Sequence, residues 1–198
     1  PRPRAGSTRR GVRNEELPPA LGSISQPEML KTVQLADYQP IIVRGTEDSL
    51  AGQLLRPTLF DLLGQRAIDF FQNESNYLTE PINRFSLSQN EAFSPLRTFI
   101  SADFPTKDSS SRKWQAVRAF QKILAAHESD ANAGPRVVAD LQRLLFAKNN
   151  STLADRDERY LAALGNLQRQ YAGQPVEPEI GLALANFWYE KGQSFDPN

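Results

Sequence analysis

The sequence predicts a mainly α protein built from antiparallel helical hairpins stacked side by side, with an extended N-terminal arm and a long connection pinned by aromatic side chains. Three observations predict it. Five segments carry apolar residues at helical spacing, and successive helices in the C-terminal half are separated by only about six residues. Between the first helix and the rest, residues 74–110 scatter Phe85, Leu87, Phe93, Leu96, Phe99 and Phe104 among Pro81, Pro95 and Pro105. That composition describes an irregular but anchored segment, since disordered stretches are poor in such residues. At 198 residues and 39% hydrophobic, the chain can bury about 70% of its unfolded surface in one core. Residues 1–34 are expected to form a linker arm and residues 35–198 a single helical domain.

In the arm, residues 1–16 hold five arginines against two glutamates among Pro, Gly and Ser, a local net of +3, and read as a solvated linker. Pro1 stands where a native start would show Met and no apolar leader follows, so a fragment or processed product is expected. Residues 35–43, LADYQPIIV, read as a short extended segment laid on something apolar.

The first helix is expected over 58–73, with Thr58 and Asp61 as a capping box after Pro57. Its apolar residues, including Phe60, Ala67, Ile68, Phe70 and Phe71, cover roughly half its circumference, so it should sit centrally and be packed on two sides. The second runs from about 112 to 128 after a serine cap region and buries Trp114, Val117, Phe120 and Leu124. A third begins at Pro135 and presents Val138, Leu141, Leu144 and Leu145. The fourth starts at Asp155 with an Asp155–Arg159 pair, buries Leu161, Leu164, Leu167 and Tyr171, and stops before Gly173. The last starts near Pro178, presents Ile180, Leu184 and Phe187, and ends near Gly192. Helix starts near 112 and 155 lie about 43 residues apart, closer to HEAT than to tetratricopeptide spacing, with no matching consensus. The architecture is therefore TPR/HEAT-like in outline.

Charge and composition exclude several functions. Twenty-three basic residues balance 23 acidic ones, so no overall field draws the chain to nucleic acid or an anionic membrane. No apolar run approaches the roughly 20 residues a membrane span requires. Zero cysteines and one histidine remove thiolate chemistry, cysteine zinc sites and any motif needing two histidines. No catalytic or phosphate-binding string occurs, and no catalytic residue, metal site or cofactor is expected.

Three features remain. His127 falls about 20° from Phe120 around its helix, near the C-terminal end, where an imidazole complements the last carbonyls. A structural role is expected, since a general base needs a nucleophile or an orienting carboxylate in reach and the sequence places neither against the ring. The acids Asp155, Asp157, Glu158, Glu177 and Glu179 fall in first helical turns and read as capping groups rather than as an acid–base pair. Phe187, Trp188 and Tyr189 are consecutive, and steps of 100° spread them over about 200°, too wide for one groove. Either a further domain covers the last helix or one ring is an exposed contact; the covering domain is preferred, because Tyr and Trp are common interface anchors.

Residues 56–71, RPTLFDLLGQRAIDFF, resemble the R-P-T-L-Y-D-F-L-A-x-R-A-L-x-F-F string of large alpha-2-macroglobulin-like proteins of Bacteroidetes-type bacteria. Residues 38–45 are similar to that family's extended lead-in, 78–81 to its L-T-x-P step, and 92–95 to its A-F-x-P step. Residues 120–130 and 140–146 resemble the helix pairs that follow. Phe60 stands for a common Tyr, and Gly64 for Ala, which removes on the order of 1 kcal/mol of local helix stability. The resemblance implies a non-catalytic helical segment, ahead of macroglobulin β-sandwich repeats, in a periplasmic, cell-envelope or secreted protease-trapping inhibitor. Its partners would be neighbouring domains of the parent chain and, through them, target proteases. The family's thioester requires a cysteine that this chain lacks, so no functional residue carries over. The alternative is a free-standing helical-repeat module that binds a peptide or protein.

Overall fold

The computed structural model describes residues 19–38, 55–72 and 85–194, and among them the chain is mainly helical with no strand. Residues 1–18, 39–43 of the expected extended segment, and 74–84 of the long connection lie outside the described residues. Short helices α1 (Pro19–Gly22) and α2 (Pro27–Lys31) lead into a 3-10 turn, Leu35–Tyr38. Helix α3 (Leu59–Gln72) comes next. A second 3-10 turn, Asn90–Phe93, and the short α4 (Leu96–Ser101) precede four long helices. These are α5 (Arg112–Ala126), α6 (Gly134–Asn150), α7 (Arg156–Gln170) and α8 (Glu177–Gln193).

The helix starts follow the signals in the sequence. Asp61 Oδ2 accepts from the Thr58 backbone N–H at 2.8 Å and from its hydroxyl at 2.6 Å, so an Asp closes the box in place of the usual Glu. Ser111 Oγ accepts from the Trp114 N–H at the start of α5. Beyond α7, Gly173 takes a φ of 74°, a region that favours glycine, and its N–H donates to Glu177 Oε2 at 2.6 Å, which sets the turn into α8. Asp155 does not cap α7; its carboxylate accepts instead from Arg159 Nε at 2.7 Å, the expected pair one turn on.

Packing proceeds by nearest neighbours: α3 on α5, α5 on α6, α6 on α7 and α7 on α8. Side chains show the alternating directions. Arg136 near the start of α6 reaches Tyr171 Oη beyond the end of α7, and Lys191 near the end of α8 pairs with Asp157 at the start of α7. Lys148 and Glu190 join the last turns of α6 and α8 at 2.5 Å, so those two helices run the same way. Helix α3 is central as expected, with α1 and α2 against it as well as α5. Gly64 explains how closely α3 and α5 meet: an alanine methyl there would lie 3.1 Å from Ile123 Cδ1. The glycine gives up local helix stability for that approach.

Several expectations are corrected. Phe70 is 50% exposed; it lies edge-on to Phe71 with the Arg112 guanidinium over its ring, because the α3 stripe buries Phe60, Ala67, Ile68 and Phe71 and leaves position 70 at its border. On α6, Leu145 is exposed and Val138 and Leu141 are only half-buried, whereas Val137, Asp140, Arg143, Phe146 and Ala147 face inward. The buried face of α6 includes the Asp140–Arg143 pair, which a purely apolar stripe does not anticipate. The arm does not extend to residue 34: Leu21, Ile24 and Leu30 belong to the core. Extended pairing occurs slightly earlier than expected, where Leu35 N–H donates to Pro57 O at 2.8 Å and Leu59 N–H to Val33 O at 2.9 Å, and the chain then turns at 35–38. The connection is more regular than its prolines suggest, since it contains the 90–93 turn and α4.

Side chains from the long helices satisfy the backbone of that connection. Arg143 Nη1 donates to Ala92 O at 2.7 Å and Ser94 O at 3.0 Å, while Nε and Nη2 grip Asp140 Oδ1 and the guanidinium lies over the Phe99 ring. Gln121 Nε2 donates to Phe99 O and Ala102 O, covering carbonyls at the end of α4. Trp114 Nε1 donates to Phe104 O at 2.7 Å. Along the same connection Phe85, Leu87, Phe93, Phe99 and Phe104 are buried. We predict that Phe60→Ala destabilises the fold by about 3–5 kcal/mol and Phe70→Ala by about 1 kcal/mol or less, compared through denaturant midpoints at unchanged m-value.

Candidate functional site

The densest polar cluster lies where α5 ends. His127 is 2% exposed and sits edge-on to the buried Phe60 ring. Its Nδ1 is 2.7 Å from Asp130 Oδ2, three residues on, and its Nε2 is 2.9 Å from Asp61 Oδ1 on α3. The second approach is a close N···O contact that leaves Nε2 without an aligned hydrogen bond. Lys31 on α2 donates to Asp130 Oδ1 at 2.6 Å and to Ala126 O at 2.8 Å. From α6, Arg136 Nη1 donates to the carbonyls of His127, Glu128 and Asp130 at 3.0, 3.0 and 3.2 Å. Two cations thus cover the carbonyl end of α5, where the helix dipole favours positive charge.

Two carboxylates stand against the His127 ring in space. Asp130 was accessible to sequence reasoning through its i,i+3 spacing; Asp61, on a different helix, had no local signal. The cluster is wired for holding rather than for nucleophilic attack. In a hydroxyl–imidazole–carboxylate triad the imidazole stands between the other two groups. Here Asp61 stands between Thr58 and His127, so the Thr58 hydroxyl donates to the carboxylate rather than to the imidazole. Burial tends to raise the Asp130 carboxyl, but hydrogen bonds and charges from Lys31 and His127 outweigh it and hold Asp130 below the usual aspartate range.

The three consecutive aromatics separate. Phe187 is buried against Tyr160 of α7, with the Lys148 and Lys191 ammonium groups near its ring. Trp188 and Tyr189 are 60% and 69% exposed, and Leu182 on the same helix is also exposed. Three acids of the first helical turns have partners: Asp155 with Arg159 one turn on, Asp157 with Lys191 of α8, and Glu177 with the Gly173 N–H. The Lys191 hydrogen bond holds Asp157 below its ordinary range. Among the described residues, no group of three or more His, Asp or Glu side chains is placed to hold a metal ion, and no helix is long and apolar enough to cross a membrane.

No protein-family model, curated protein or solved structure matches this chain.

Two measurements test the cluster. His127→Ala leaves Asp61 and Asp130 without their shared partner and should destabilise the fold by about 3 kcal/mol, read from urea midpoints near neutral pH. For Asp130 the folded-state pKa is depressed, so its stabilisation is complete above the unfolded aspartate value of about 4 and fades as pH falls through the lower folded value. The stability gap between wild type and Asp130→Asn should therefore be constant above about pH 5 and shrink in acid.

Proposed function

We propose that this chain is a non-catalytic structural and interaction segment of an alpha-2-macroglobulin-like protein of the bacterial cell envelope, acting in the periplasm or outside the cell as part of a protease-trapping inhibitor. Its partners are neighbouring domains of the parent chain and, through the assembled inhibitor, target proteases. The observation that carries the docking role is the uncovered side of α8, where Trp188, Tyr189 and Leu182 are exposed at the edge of the stack. Large aromatics at an edge supply anchoring area at little entropic expense. The macroglobulin assignment itself rests on the RPTLFDLLGQRAIDFF string, which in this fold forms the central helix and its capping box. The work assigned to the segment is positional: His127, Asp61, Asp140 and Arg143 are committed to internal contacts.

A second reading, a free-standing TPR/HEAT-like module that binds a peptide or protein, draws support from the groove beside α6 and α7. Reading the open reading frame separates the two. Continuation into β-sandwich domains supports the macroglobulin segment, and termination within a few residues of Asn198 overturns it. In a continuing parent, a photo-crosslinking residue at position 188 should couple to a downstream domain, and Trp188→Ala with Tyr189→Ala should weaken that contact while changing the stability of this segment by under about 1 kcal/mol.

A further inference from the structure

We infer that the groove bounded by α6, α7 and the 93–97 turn binds an extended polypeptide through one acidic side chain flanked by apolar residues. This deepens the reading of the chain as an interaction module and does not depend on which parent it belongs to. The groove encloses about 470 Å³, within the range of roughly 300–1,000 Å³ typical of binding clefts. Its walls are apolar in part, with Leu96 on one side and Ala163 and Leu167 on the other.

Its polar rim is rich in donors. Arg136 spends Nη1 on three carbonyls and Nε on Tyr171 Oη, while Nη2 has no acceptor among the described residues. Arg97, with its side chain 87% exposed at the mouth, meets Glu128 through Nε at 2.8 Å. Asp140 and Arg143 neutralise each other in the floor, so Arg97 and Arg136 against Glu128 leave the mouth one positive charge in excess. A planar carboxylate is the ligand group that two guanidinium edges recognise best.

The rim of α7 supplies the reason for a polypeptide. Asn166 accepts from Arg169 through Oδ1, and Gln170 donates from Nε2 to Tyr171 Oη at 3.3 Å. Asn166 and Gln170 both line the groove one helical turn apart, and these bonds use neither the Asn166 Nδ2 donor nor the Gln170 Oε1 acceptor, a pair that matches the C=O and N–H of a peptide backbone.

The test is titration of the isotope-labelled full chain, followed by amide chemical shifts, with end-blocked Leu-Asp-Phe and Leu-Asn-Phe tripeptides and with 3-phenylpropionate. Saturable shifts at Leu96, Asn166 and Gln170 are expected with the Asp peptide, and affinity about tenfold weaker for the Asn peptide. Arg97→Glu, at an exposed position, should remove the preference for Asp, and Ala163→Phe, which fills the groove, should abolish binding while leaving spectra elsewhere unchanged. Absence of saturable shifts, equal affinity for the two peptides, or indifference to both substitutions overturns the proposal. Equal binding of 3-phenylpropionate overturns it in favour of a free acid. None of these outcomes bears on the reading frame or on the α8 contact, so the two readings fail separately.

Discussion

The fold depends most on the ion network that closes the C-terminal end of α5. His127 brings together an aspartate from α3 and an aspartate from its own helix end, and the second of these receives Lys31 from α2. Arg136 adds the first turn of α6. Elements distant in sequence are thereby joined at one buried point. A network of this kind contributes little net energy when complete, because desolvation offsets much of the attraction, but any incomplete version is strongly unfavourable. Its effect is specificity: α2 and α3 are held at one position along α5.

The same logic recurs at a second buried pair. Asp140 orients Arg143, which spends its remaining donors on the backbone of the connection leading to α4. Left unpaired, the Ala92 and Ser94 carbonyls would be costly to bury. Gln121 and Trp114 extend the arrangement, so residues 85–105 are held through carbonyl groups as much as through their phenylalanines.

Local signals were readable and distant ones were not. Thr58-x-x-Asp61, the serine before α5 and the prolines at the starts of α6 and α8 mark real helix boundaries, because capping and proline geometry act within one turn. Helical periodicity placed Phe60, Phe120 and Leu164 inside correctly. It failed for Phe70 and Leu145, where an apolar residue borders the stripe, and for Asp140 and Arg143, where charges that look solvated are paired indoors. Their i,i+3 spacing was visible, yet the same spacing is common on wet helix faces. The trio at 187–189 was legible as a geometric problem, and Phe187 alone turned inward. For the groove, sequence held no signal, since its walls come from separate elements.

Nearest-neighbour packing gives the molecule an uneven resistance to opening. Helix α3 is clasped by α1, α2 and α5, while α8 rests mainly on α7 and is tied to its neighbours by lysine pairs near the surface. Helix α8 therefore has fewer elements around it than α3, and a body seated on its outer face would raise the free energy of its local opening.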